Sequence, residues 1–139
     1  MGRTSKKASI VVVEDNPADV LLIRKGLEGQ GVDCDLTCFD DGDIAVRGLS
    51  QEGRLLPDLI LLDLKLCKLD GFDVLQSIRS MPNFVDVPVI ILTSSESPSD
   101  KQRTARMGAA RYIRKPSQLD EFFREVGQGV EEILRHKND

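Results

Sequence analysis

Short apolar runs and stretches of helical spacing take turns along this chain, beginning at Ile10. The first run, Ile10 to Val13, is β-branched and continuous rather than alternating, as in a strand covered on both faces of a parallel sheet. Asn16 then predicts an N-cap with Pro17 at the first helical position, opening a helix through about Glu28. Val20, Ile23 and Leu27 mark its apolar face, and Gly29 and Gly31 stop it. A second strand, about Asp33 to Phe39, alternates in part, which places it at an edge; Asp40 and Asp41 beyond it suit helix capping. The stretch DDGDIAVRGL predicts a second helix with Ile44, Ala45 and Leu49 inward, ending near Gly53.

Pro57 resets the chain for a third strand, Leu59 to Leu62, and a third helix follows from about Phe72 to Met81 with Leu75 and Ile78 inward. The fourth strand is VPVIIL, 87 to 92, with Pro88 at its start, where a missing donor matters least. A polar fourth helix, about Ser99 to Met107, offers Ala105 and Met107 as inward positions, and Ala110 to Ile113 form a short fifth strand. Ser117 with Asp120 three residues on reads as a capping box for the last helix. Leu119, Phe122, Phe123, Val126, Val130 and Ile133 give that helix one broad stripe, interrupted by Gly127 and Gly129, each costing about 1 kcal/mol relative to alanine. Five such βα units imply an α/β fold, a doubly wound parallel sheet with helices on both faces and right-handed crossovers.

Composition narrows the class. The chain has 139 residues, 40% hydrophobic and 30% charged, the make-up of one soluble domain: 1–8 a disordered start, 9–135 the domain, 136–139 a tail. A formal net charge of −4 argues against broad nucleic-acid binding, and Arg3, Lys6 and Lys7 do not make a DNA arm. No apolar run approaches the roughly 18 residues of a membrane span, and Glu14 and Asp15 break the only signal-like stretch. Cys34, Cys38 and Cys67 read as free thiols of a reducing cytoplasm, and a lone His136 does not complete a zinc site.

The chemistry lies at the strand ends. In an open α/β sheet, ligands bind outside the carboxyl ends of the strands. The first strand ends at Glu14 and Asp15, the third at Asp63, the fourth at Thr93 and Ser94, the fifth at Lys115. Each has a bland reading: a cap for Asp15, solvent for Glu14, common strand-end hydroxyls, a surface lysine, and half-buried packing for Tyr112. Taken together, they fall on one edge of one sheet. Mg²⁺ takes oxygen ligands and keeps several waters, so Asp15 and Asp63 suit direct ligation and Glu14 ligation through water. Lys115 would bond Asp63 first and an incoming phosphoryl oxygen afterwards, with Thr93 donating to the same oxygen. Asp63 then becomes a nucleophile toward phosphorus.

The segments VVVEDNPAD, PDLILLDLKLCKLDGFDVL, VPVIILTSS and GAARYIRKP resemble the receiver domains of two-component response regulators, over nearly the whole length. The resemblance implies a flavodoxin-like sheet of order 2-1-3-4-5, phosphorylation of Asp63 from a histidine kinase, and Mg²⁺ (or Mn²⁺) as cofactor. It implies Glu14 and Asp15 as the acid pair, Lys65 as donor of a backbone carbonyl to the metal, Thr93 and Tyr112 as switch residues, and Lys115 as the phosphoryl-contacting lysine. It also implies a readout on the surface of the fourth helix, fifth strand and fifth helix. EDNPADVLLIRKGLE is similar to the small regulators paired with phytochrome-type or other hybrid sensor kinases. Departures are Glu14 where aspartate is at least as usual, Cys67 in place of a frequent proline and touching no ligand, and Ser94, which is larger than the common alanine and narrows access. Lys65 and Ser95 flank the site where the family tunes hydrolysis.

Two rivals remain in class. A haloacid-dehalogenase-type phosphatase needs a second acid where Lys65 stands, and no G-x-G-x-x-G or G-x-x-x-x-G-K-[ST] occurs for a nucleotide site. A phosphorylation-independent docking module should have lost Asp63, an acid of the pair, or Lys115. Only RHKND follows the last helix, so output is expected through a downstream protein or a homodimer, with Phe122 and Phe123 as surplus apolar surface.

Overall fold

The computed structural model describes residues 7–67 and 69–137, so most of the expected disordered start, together with 138 and 139, lies outside the described residues. The elements are β1 (Ala8–Val13), α1 (Pro17–Gly29), β2 (Cys34–Phe39), α2 (Gly42–Leu49), β3 (Leu59–Leu62) and α3 (Gly71–Ser80). A short 3-10 turn (Pro82–Phe84), β4 (Val89–Thr93), α4 (Pro98–Arg106), β5 (Arg111–Arg114) and α5 (Leu119–Lys137) complete the chain. All strand pairs are parallel and the order is β2-β1-β3-β4-β5.

The unbroken apolar runs are explained by the sheet having two buried faces. Val11, Val13, Ile60, Leu62, Val89 and Ile91 point to the side of α2 and α3, meeting Ala45, Leu49, Val74, Leu75 and Ile78. Ile10, Val12, Leu59, Leu61, Ile90 and Leu92 point the other way, onto Ile23 and Leu27 of α1 and Phe122, Val126 and Val130 of α5. Each of these side chains larger than alanine contributes about 1.5–3 kcal/mol by leaving water. Asn16 caps α1 by accepting the Ala18 N–H at 2.9 Å, and Asp41 caps α2 by accepting from Asp43 and Ile44. Local polar chemistry thus starts α1 and α2 where the sheet needs the chain to turn back.

Several expectations on the helices change. Ile44 is exposed, and Ala45 and Leu49 carry the inner face of α2 with the half-buried Val46 packed beside them. In α4 the buried residue is Thr104, not Ala105; its hydroxyl donates to the carbonyls of Asp100 and Lys101, so a polar side chain satisfied within its own turn fills an apolar position. Helix α5 begins at Leu119, with the Phe122 N–H on the Gln118 carbonyl, which leaves Ser117 one residue too early for the expected cap. Leu119 is mostly exposed. Phe122 is buried against the sheet and Phe123 packs in the same core against α1, so the apolar surplus that suggested a homodimer is absorbed within the chain. His136, expected in a tail, is still helical.

Gly127 is more than a weak point in α5. A Cβ there would come within 2.7 Å of the Gly26 carbonyl oxygen and 2.8 Å of Gln30 Cβ. Its bare backbone lets α5 lie directly on α1.

Candidate functional site

Register brings the strand ends to one level. Val13 stands opposite Leu62 and Leu62 opposite Ile91, so Glu14 and Asp63 are neighbours across the β1–β3 boundary and Thr93 ends β4 beside them. The Asp63 N–H still donates to the Val13 carbonyl at 3.1 Å, and the Lys115 N–H donates to the Thr93 carbonyl at 2.7 Å. These backbone bonds carry the ladder one residue past the strands and fix where the side chains emerge.

At the centre is the Lys115 ammonium. It donates to Glu14 Oε1 at 2.7 Å, Asp19 Oδ2 at 2.7 Å and Asp63 Oδ2 at 2.9 Å, so all three of its protons are used. Glu14 and Asp63 are 3% and 6% exposed, and carboxylates this deep require such pairing. The second oxygen of Asp63 accepts the Lys65 N–H at 3.1 Å, and the second oxygen of Glu14 accepts the Asn16 N–H at 3.3 Å. Burial pushes the Glu14 carboxyl up to about 7, with Asp63 adding repulsion, while the Lys115 hydrogen bond pulls the other way. For Lys115, burial acts to lower the pKa, but the bonds to Asp19, Glu14 and Asp63 outweigh it and hold the ammonium above its ordinary value.

Glu14, Asp15 and Asp63 each present a carboxylate oxygen, all within 4.8 Å of one another. An all-oxygen set of this size suits a hard divalent cation and disfavours a thiophilic one. Asp15 is half-buried, and its Oδ2 accepts the Cys67 thiol proton at 2.8 Å. This corrects the expectation that Cys67 touches no ligand; the Asp15 bond and charge in turn push the thiol pKa up. Cys34 and Cys38 are free, and burial raises both.

On the hydroxyl side of the site, Thr93 and Ser95 are buried. Thr93 is completely buried, and its Oγ1 accepts the Ser95 N–H at 3.4 Å. Ser95 is a hub: its hydroxyl donates to Asp100 at 2.6 Å and accepts from the Ser97 N–H, and its carbonyl accepts the Tyr112 hydroxyl at 3.0 Å. Tyr112 is half-buried, its ring packed against the core on the α3 side. Ser94 and the Lys65 side chain are exposed at the rim.

Two participants escaped the sequence reading. Asp19 satisfies a simpler role, an acid in the first turn of a helix, so nothing marked it out; its spacing of one turn after Asp15 was the available signal. Gly71, beside Asp70, has only the sequence signature of a turn glycine. It is the first residue of α3, and a Cβ on it would collide with the Asp63 carbonyl oxygen and Leu64 Cα. The loop carrying Asp63 rests on that bare backbone.

Comparison with known proteins agrees with this geometry. The family model described as "Response regulator receiver domain" matches residues 10–126. The chain is 36% identical over 126 residues to the response regulator Rcp1 of Synechocystis, covering 88% of this chain and 85% of that protein. The structure of the phosphorylated cyanobacterial phytochrome response regulator RcpA superposes with a TM-score of 0.84 at 36% identity, covering 94% of this chain and 95% of that one. The Mn²⁺-bound form of Rcp1 gives 0.81 at 34% identity, over 90% and 92%. Among the described residues no helix is long and apolar enough to cross a membrane. A phosphoacceptor-type acid pocket on a 2-1-3-4-5 sheet and a match over most of the length lead to one assignment: the chain belongs to the response regulator receiver domain family.

Proposed function

We infer that this receiver accepts a phosphoryl group on Asp63 from a histidine kinase and signals through a change of conformation. The observation that carries the reading is the placement of Asp63, with one carboxylate oxygen held by the Lys65 N–H and the other by Lys115, beside Glu14 and Asp15. An oxygen of Asp63 attacks phosphorus, the P–O bond forms as the bond to the donor breaks, and the donor leaves with the electron pair. Lys115 turns a proton from a carboxylate to a phosphoryl oxygen. Thr93 gives up the Ser95 N–H and donates its hydroxyl to the same group, which frees Ser95 and with it the Tyr112 contact.

Asp15, Asp63 and the Lys65 carbonyl would hold Mg²⁺, or Mn²⁺, with Glu14 acting through water; the cation supplies charge for the equatorial oxygens. The chain acts as a stoichiometric acceptor rather than an enzyme on other substrates. Likeness to a phytochrome response regulator supports a phytochrome-type or hybrid sensor kinase as donor, in the cytoplasm, and a downstream protein as reader.

Incubation with Mg²⁺ and acetyl phosphate, followed by intact mass, tests the assignment. One phosphoryl adduct is expected on the parent and none on Asp63→Asn. An adduct that persists in the variant would move the acceptor elsewhere.

A further inference from the structure

Asp19 is the carboxylate at Lys115 that lies outside the candidate metal set. The other two acceptors of the ammonium, Glu14 and Asp63, belong to that set. A divalent cation and Lys115 therefore compete for the same two side chains, and they repel each other as like charges. Lys115 is only 12% exposed, so an ammonium pushed off Glu14 and Asp63 needs another partner in place. Asp19 supplies it from a different element, the first turn of α1, at 2.7 Å and largely buried itself.

We propose that Asp19 is a positioning residue that draws Lys115 off the metal ligands, so that the acid pocket can take its cation while the lysine stays within reach of the phosphoryl group. The inference rests on the reading of Asp63, Asp15 and Glu14 as a metal-dependent acceptor site. Without Asp19, Lys115 leans wholly on Glu14 and Asp63 and resists the incoming ion. With it, the lysine has a resting place that costs the metal nothing.

The test is a Mn²⁺ titration of the parent, Asp19→Asn, Asp19→Glu, Lys115→Ala and the double variant Asp19→Asn with Lys115→Ala. Asp19→Asn should weaken Mn²⁺ binding about five-fold, within the usual range of coupling between neighbouring groups. Asp19→Glu should restore most of it. In the Lys115→Ala background the same Asp19→Asn change should have less than about a two-fold effect, because the competitor is gone. An equal loss in both backgrounds would make Asp19 a through-space attractor of the cation and overturn the proposal, as would unchanged or tighter binding in Asp19→Asn. Failure of the underlying reading looks different: Mn²⁺ affinity would then be insensitive to Asp15→Asn and Asp63→Asn as well.

Discussion

At Lys115 one side chain balances three acids, and its removal separates two roles. Lys115→Ala leaves Glu14, Asp19 and Asp63 without their cation, a loss of about 3–5 kcal/mol for buried charges deprived of their partner. The urea midpoint should fall accordingly in metal-free buffer and recover when Mn²⁺ is added, since the ion replaces the missing charge. Phosphorylation of that variant should leave the Tyr112 fluorescence unchanged where the parent shows a shift; an equal shift in both would remove Lys115 from the switching path. Gly71 sets a second residue-scale limit. Gly71→Ala must displace backbone atoms of Asp63 and Leu64, at about 1–3 kcal/mol for overpacking, and Mn²⁺ affinity should fall with stability because the displaced loop carries Asp63 of the acid cluster. A substitution at Gly71 that lowers stability but leaves Mn²⁺ binding intact would show that the loop yields elsewhere.

Among the elements, the central strands were legible to within two residues because both faces of the sheet are buried there, so all of Leu59–Leu62 and the residues of β4 before Thr93 had to be apolar. The helices were legible in existence and blurred in phase. On α2, eight residues long, Ile44 and Ala45 compete for one inward position, and periodicity does not choose between a large and a small apolar neighbour. On α4 the inward position is Thr104, which no hydrophobic pattern selects because its own turn satisfies the hydroxyl. At the site the clustering of Glu14, Asp15 and Asp63 was legible from their strand-end positions, whereas the approach of Asp19 and the Cys67 thiol to them was not, since a helix acid and a loop cysteine each have an ordinary explanation. The two glycines of α5 divide in the same way. Gly127→Ala gains about 1 kcal/mol of helix propensity but meets backbone of α1 at 2.7 Å, so a net loss of about 1–2 kcal/mol is expected. Gly129→Ala meets only the tip of Ile113 and the Arg111 side chain, at 3.0 and 3.5 Å, and should be neutral or gain up to about 1 kcal/mol. Paired urea denaturation of the two variants decides this, and equal effects would mean that α1 and α5 can part without cost.

Over the whole molecule, the sheet is locked by a core on each face, and repulsion among Glu14, Asp15 and Asp63 is concentrated at one rim. That division makes the rim the place where the folded state is least content and where a ligand can most improve it. A divalent cation binding only the folded chain at a hundred times its dissociation constant adds about 2.7 kcal/mol. For a domain of this size that corresponds to a rise in Tm on the order of 10 °C. Mg²⁺ or Mn²⁺ should therefore raise Tm in a concentration-dependent way in the parent. Asp15→Asn should start from a higher metal-free Tm, because one repelling charge is gone, and gain little on adding metal. The two curves should approach each other at saturating ion. Parallel curves, with the variant gaining as much as the parent, would place the cation away from the ends of β1 and β3, and the arrangement of acids there would then be a cost of the fold with no bearing on metal.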